Sequence, residues 1–279
     1  MRIERQPATS QYRRPTPEET AMTDHVRISI EDNVMRLLLA RPEKKNALTN
    51  AMYAALGAAL DCAEGDPAIR AVLFEAEGDA FTAGNDLGDF AAVAAGMMAR
   101  SEMKAHVLLS ALARAEKPYV AAVQGLAVGV GVTMLLHCDL VYVAEDAKLT
   151  VPFVNLAVVP EAASSWLLPA RIGYARAFAM FALGEPVDGR TAAAIGIANS
   201  ALPAGDVRAK AFAAAKALAT RPIGALRATK KLMRDAAAIQ ALMTKEGEIF
   251  GERLRTAEAA EAFRAFAERR PADFTKISG

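Results

Sequence analysis

Two glycine-bearing segments carry the residue types and spacing best suited to chemistry. The first is Phe81-Thr82-Ala83-Gly84-Asn85-Asp86-Leu87. A small residue and a glycine after a buried apolar run let backbone N–H groups come close to a ligand oxygen. Aligned N–H donors stabilise negative charge developing on a carbonyl oxygen, and one such donor is worth about 3–4 kcal/mol in other enzymes. The same residues also suit an ordinary turn closed by Asn and Asp side chains. The second segment is Gln124-Gly125-Leu126-Ala127-Val128-Gly129-Val130-Gly131, which joins a strand to a helix. A helix start there offers free N–H groups and the positive end of the helix dipole. Close helix–strand packing is the alternative reading. Its glycines run G-x-x-x-G-x-G, so the dinucleotide spacing is absent, and no Lys-Ser/Thr follows to make a P-loop.

One acid stands out. Val159-Pro160-Glu161-Ala162-Ala163-Ser164-Ser165 places Glu161 at the entry of a helix. A helix N-terminus lowers a glutamate pKa, whereas an apolar pocket raises it. A value near neutrality suits a proton shuttle. A favourable acid in a helix's first turn is the plainer reading. Asp86 more often holds its turn than reacts, Asp89 is a candidate pocket residue, and Glu145 and Asp146 sit in a solvated turn. His25, His106 and His137 show no metal-ligand spacing, so no metal is expected. His106 is read as surface or packed, with a place facing the pocket as the alternative, and His137 and Cys138 as core. Trp166, Phe153 and Phe181 are packing residues, with Phe153 and Trp166 candidate pocket walls. No G-x-S-x-G elbow supports serine hydrolysis.

The elements that must position these groups follow from pattern. Residues 26–30 and 34–39 read as a hairpin across Glu31-Asp32-Asn33. Thr49 can cap a helix with Met52, Leu56 and Leu60 on one face. Residues 70–75, 118–123 and 139–144 are buried strands, and 88–114 is mostly helical. Strand–turn–helix units thus recur at 34–60, 70–110 and 118–136, without a sequence repeat. From 162 onward helices dominate. The stretch 245–268 carries Ile249, Phe250, Leu254, Ala257, Ala260, Phe263 and Phe266, a helical stripe that wants a surface to cover. An α/β core followed by a helical tail accounts for both halves.

Bulk properties narrow the function class. With 279 residues, 53% hydrophobic and net charge +1, the chain has no basic surplus for nucleic acid. Cys62 and Cys138 lie in apolar segments and are expected as buried free thiols. No apolar run reaches the ~18 residues of a membrane span, and a cytoplasmic protein is expected. Residues 1–22 are rich in Arg, Pro, Gln, Thr and Glu, and read as a disordered leader.

Arg41-Pro42-Glu43-Lys44-Lys45-Asn46-Ala47-Leu48, the Ala83-Gly84-Asn85-Asp86-Leu87 turn, and Lys117-Pro118 leading to Gly129-x-Gly131 together resemble the crotonase (enoyl-CoA hydratase/isomerase) superfamily. The resemblance runs over about residues 26–274, taking in Leu183-Gly184-Glu185-Pro186-Val187-Asp188 and the ending 263–274. It implies an α/β fold, a spiral of repeated ββα units over 23–205 followed by a C-terminal helical trimerisation region over 206–279. It implies two oxyanion donors, the N–H groups of Asn85 and Val130, with valine where the family usually has glycine. Arg41 and Lys44 lie where the family contacts the nucleotide end of CoA, and Arg269, from a neighbour's tail, resembles a phosphate contact. Ala83, Gly84, Asp86, Leu87, Gly129 and Phe250 complete the implied acyl-CoA site. No separate cofactor is implied, since coenzyme A is part of the substrate. A homotrimer or dimer of trimers is implied as well.

Family hydratases use two glutamates, and at those positions this chain has Thr133 and Phe153. Neither can activate water and relay a proton, which disfavours simple hydration. Glu161 and its surroundings resemble the peroxisomal-type Δ3,Δ2-enoyl-CoA isomerases, where a glutamate here is the single acid/base. The expectation is therefore such an isomerase. The alternatives are a hydratase or other crotonase acting on an unusual acyl-CoA, and a non-catalytic acyl-CoA-binding subunit.

Overall fold

The computed structural model describes residues 23–86, 88 and 102–277. Strands β1 (Val26–Glu31) and β2 (Val34–Leu39) form the hairpin, turning through left-handed Asp32 and Asn33. Thr49 starts α1 (Asn50–Gly65), its hydroxyl accepting the Met52 N–H at 3.3 Å. The helix buries Met52, Leu56 and Leu60, the face read from their spacing.

Three strand pairs then wind the spiral. They are β3 (Ala71–Ala76) with β4 (Ala80–Thr82), β5 (Tyr119–Val123) with β6 (Leu126–Val128), and β7 (Leu140–Ala144) with β8 (Lys148–Thr150). The first of each pair enters the larger sheet, in the order β1-β2-β3-β5-β7-β10, and the second enters the smaller, β4-β6-β8-β9. Strands β9 (Val187–Asp188) and β10 (Ser200–Leu202) close the two edges. Helix α2 (Ala105–Arg114) comes after β4, and the single turn α3 (Val130–Thr133) follows β6 directly. These are the expected ββα units. The three-residue strands β4, β6 and β8 went unread in the sequence because so short a run shows no period of two.

Strands β3 and β5 are buried along their whole length, as parallel strands covered on both faces must be. Glu75 on β3 is the polar exception, at 1% exposure. Arg36 on β2 meets both of its carboxylate oxygens, at 2.8 and 3.0 Å, in a bidentate pair.

The chain changes sheet at sharp corners. Between β5 and β6, Gly125 has φ +60°, and a Cβ there would lie 1.8 Å from the Asp79 carbonyl oxygen. The Gln124 amide donates to the Ala76 carbonyl at 2.7 Å and ties this corner to the preceding one.

Helices α4 (Ser164–Ile172), α5 (Tyr174–Leu183), α6 (Gly189–Ile195), α7 (Val207–Ala219), α8 (Ile223–Met233), α9 (Ala236–Arg253) and α10 (Ala257–Ala267) make up most of the remainder. Helix α7 lies across β3, β5 and β7 and buries Val207, Ala211, Ala215 and Ala219 at every fourth position, so it belongs to the core. The apolar stripe over 245–268 is two helices and not one. Thr256 breaks it, its hydroxyl accepting the Ala259 N–H at 3.3 Å to start α10. Cys138 is buried, but Cys62 is only half-buried. Trp166 is 48% exposed and lines neither cavity described below. No helix among the described residues is long and apolar enough to cross a membrane.

The corner at Gly125 yields a stability prediction. Gly125→Ala combines a disfavoured φ with a main-chain collision and should lower the unfolding free energy by about 3 kcal/mol in urea denaturation. Gly205→Ala, where an added Cβ meets nothing within 4 Å, should stay within about 0.5 kcal/mol of the parent.

Candidate functional site

The two turns singled out in the sequence lie side by side because β4 and β6 are parallel neighbours, with Ala80 opposite Leu126 and Thr82 opposite Ala127. Both strands therefore end on the same edge, about 4.8 Å apart. Gly84 has φ +89°, and a Cβ on it would sit 2.8 Å from the Val128 carbonyl oxygen. Only glycine lets the two turns touch there.

The neighbours of Asn85 are pinned. The Leu48 N–H donates to the Gly84 carbonyl at 2.8 Å, and the Asp86 N–H donates to the Leu48 carbonyl at 2.9 Å. The Asn85 amide lies between these bonds, and the Val130 amide opens α3. Among the described residues neither amide donates to a protein acceptor. Val130 is 1% exposed and joins the core, and its neighbour Gly129 lines the second cavity described below. The Tyr53 hydroxyl donates to Asn85 Oδ1 and fixes that side chain.

Two cavities meet at this point. The first is about 430 Å³ and is lined by Tyr53, Asn85, His106, Ser110, Glu161, Met243 and Phe250, among others. The second is about 860 Å³, and its walls include Arg41, Lys44, Ala83, Gly84, Asp86, Gly129, Phe153 and Phe250. Asn85 and Phe250 belong to both. The second cavity thus collects most of the residues expected to bind substrate, and the first holds Glu161. Leu87 and Asp89 lie outside the described residues.

Glu161 sits three residues before α4. The Thr133 hydroxyl donates to its Oε1 at 2.5 Å. Burial pushes the Glu161 carboxyl up to about 7, the Thr133 bond pulls it down, and the nearby Glu246 carboxylate pushes it up further. The expected help from the helix N-terminus does not reach Glu161. The N–H groups of Ala163 and Ser165 donate instead to Glu246 on α9, at 2.6 and 3.1 Å.

Of the remaining candidate side chains, only Arg269 departs from its sequence reading. His106 is exposed yet lines the first cavity, with Nδ1 2.9 Å from the Met103 carbonyl oxygen. Arg41 is held by Asp86 Oδ2 at 2.6 Å and by the Ala47 carbonyl at 3.0 Å. Although burial opposes it, these bonds from Arg41 and the Gly88 N–H keep the Asp86 carboxyl below its usual range. Within one chain, Arg270 rather than Arg269 reaches the second cavity, and it is tied to Glu261 and Glu268. Arg269 closes the end of α10 in a left-handed conformation. Among the described residues no group of His, Cys, Asp and Glu could hold a metal ion.

Sequence reasoning passed over Tyr53, Thr133 as a partner of Glu161, and Glu246. A signal existed for two of them. Tyr53 puts a hydroxyl on the buried face of α1. Glu246 falls at helical spacing with Ile239, Met243 and Phe250, an acid on an otherwise apolar face.

Two sheets wound as a ββα spiral, with two amides at adjacent strand ends that have no acceptor among the described residues, define a crotonase-type fold. Residues 29–277 match the profile of the family described as Enoyl-CoA hydratase/isomerase. A protein of Rhodobacter capsulatus described as "Probable enoyl-CoA hydratase" is 34% identical over 252 residues, covering 90% of this chain and 97% of that one. Enoyl-CoA delta isomerase 2 of Rattus norvegicus is 31% identical over 249 residues, covering 88% of this chain and 63% of that protein. The crystal structure of an enoyl-CoA hydratase/isomerase from Pseudoalteromonas atlantica T6c superposes with a TM-score of 0.84 at 39% identity, over 90% of this chain and 99% of that one. The chain belongs to the enoyl-CoA hydratase/isomerase family, in the crotonase superfamily.

The Thr133 bond favours the ionised form of Glu161, which sets a test of the geometry. In Thr133→Val the carboxyl titration midpoint of Glu161, read by carbon-13 NMR, should rise by about one unit from its value near 7.

Proposed function

We propose that the protein is a Δ3,Δ2-enoyl-CoA isomerase working through one carboxylate. The observation that carries this reading is Glu161, held in the wall of a cavity that also contains Asn85, with Thr133 hydrogen-bonded to it. Thr133 and Phe153 stand where the resemblance to family hydratases calls for acids, and of the two glutamates lining the first cavity Glu248 is exposed, which makes Glu161 the carboxylate of the proposed chemistry. A 1,3-proton shift needs only one. The Glu161 carboxylate takes a proton from C2 of a 3-enoyl thioester. Charge moves onto the thioester oxygen as a dienolate forms, and the N–H groups of Asn85 and Val130 receive it. Each such donor is worth about 3 kcal/mol in the transition state. Glu161 then returns the proton at C4, giving the conjugated 2-enoyl thioester.

In the same reading the acyl chain enters the first cavity and CoA lies along the second, beside Arg41, Lys44, Ala83, Gly84, Asp86 and Gly129, with Phe250 between them. Arg269 of a neighbouring subunit meets a phosphate. Oligomerisation, with residues 206–279 contributing, is part of the proposal. Support for an apolar interface comes from α5, where Tyr174 and Phe178 stack at 5.7 Å and are 73% and 56% exposed. A second reading, hydration of a 2-enoyl-CoA, draws on the Rhodobacter capsulatus relative described by that activity.

Glu161→Gln should lower kcat for conversion of 3-enoyl-CoA to 2-enoyl-CoA by about 10³-fold, followed by absorbance of the conjugated product. An unchanged rate in the folded variant would sink the isomerase reading, and efficient hydration of 2-enoyl-CoA would favour the second. The reacting form is the carboxylate, so kcat/KM should rise with pH through about 7 and then level off. Light scattering should return the mass of three chains or six; a monomer contradicts the assembly.

A further inference from the structure

The turn that carries Glu161 is backed by a second buried acid. Ala162 and Ala163 are consecutive left-handed residues, at φ 60° and 56°. Their Cβ atoms crowd the neighbouring carbonyl in that conformation, so the turn persists only where its surroundings hold it. It is held from both sides. His137 Nε2 lies 2.8 Å from the Ala162 carbonyl oxygen, and its Nδ1 accepts from Arg234. Burial and the Arg234 charge push the His137 pKa down to about 3, so the ring is neutral with its proton on Nε2. On the other side, Glu246 accepts from the Ala163 N–H at 2.6 Å, the Ser165 N–H at 3.1 Å and the Ser165 hydroxyl at 2.5 Å. Glu246 is only 5% exposed, and its bonds use the donors at the start of α4 that would otherwise attract Glu161.

We propose that Glu246 is a positioning residue for Glu161: it occupies the N-terminus of α4, locks the left-handed turn, and so turns the Glu161 carboxylate away from those N–H groups toward Thr133 and the first cavity. The proposal deepens the isomerase reading and rests on it for its catalytic meaning. The geometry also gives Glu246 an electrostatic effect, since its negative charge behind the turn opposes ionisation of Glu161. Among the described residues, the other titratable groups lining the first cavity are Tyr53 from α1, His106 from α2 and Glu248 from α9, and His137 before β7 lies against the Ala162 carbonyl. None of them takes the α4 donors.

The test reads Glu161 directly and needs no turnover. In the full chain, the Glu161 carboxyl is assigned by comparison with Glu161→Gln and titrated by carbon-13 NMR. In Glu246→Gln the negative charge is gone and part of the α4 N-terminus is released, so the midpoint should fall by roughly half a unit or more from about 7. Glu246→Asp keeps the charge and should hold the midpoint close to the parent's. Should Glu246→Gln not fold, the same titration is made with Ala163→Gly added, which removes the left-handed penalty at that residue. A plain helix cap would lower Tm in Glu246→Gln and leave the Glu161 midpoint in place, and that result overturns the proposal. A midpoint that falls equally in Glu246→Asp overturns it too. Loss of isomerase activity without a shifted midpoint counts against the positioning role alone. A shifted midpoint in a protein that isomerises no 3-enoyl-CoA counts against the functional reading alone.

Discussion

The close approach of residue 84 to the Val128 carbonyl is the contact on which the site depends. Two parallel three-residue strands bring two turns to one edge, and the absence of a side chain at Gly84 lets them meet. Among the described residues the amides of Asn85 and Val130 find no protein acceptor, and the neighbouring Gly84 and Leu48 carbonyls are taken by the Leu48 and Asp86 N–H groups. In a folded interior a free N–H beside a cavity is costly unless a ligand or solvent takes it. The larger sheet, with β3 and β5 wholly buried, carries the core, and the smaller sheet takes its register from the pairing of β4, β6 and β8.

Electrostatics organise the other half of the site. Two acids of the site are pushed in opposite directions. Although burial opposes it, Asp86 meets Arg41, which holds its carboxyl low. Glu161 is raised first by burial, and its neighbours are a neutral hydroxyl and a like charge in Glu246 rather than a cation. Burial without a cationic partner is what leaves the Glu161 carboxyl able to exchange a proton near neutral pH.

Much of this was legible in the chain. The hairpin, the capped α1 and the long buried strands announced themselves through period and cap chemistry, and the spacing of the glycine segments located the paired turns. The short strands did not, because three residues define no alternation and are strands only by pairing with one another. The Thr133–Glu161 and Glu246–Ser165 contacts span 28 and 81 residues, beyond any local pattern. Helix stripes showed that something must be covered without showing by what. The 245–268 stripe is split by a threonine whose capping preference competed with the apolar period and won.

Because both free amides are main-chain groups, the side chains at 85 and 130 are under a different constraint from the chemistry beside them. Any residue except proline keeps the N–H, and the valine at 130 is occupied with core packing. Substitutions there can drift in size and hydrophobicity while the donors persist. Gly84 and Glu161 have no such latitude, one for want of space and the other because its atoms are the reactive ones in the proposed reaction. Mutational tolerance in this fold should thus be uneven over very short distances, and reaction types can diverge by exchanging acids around an unaltered pair of amides.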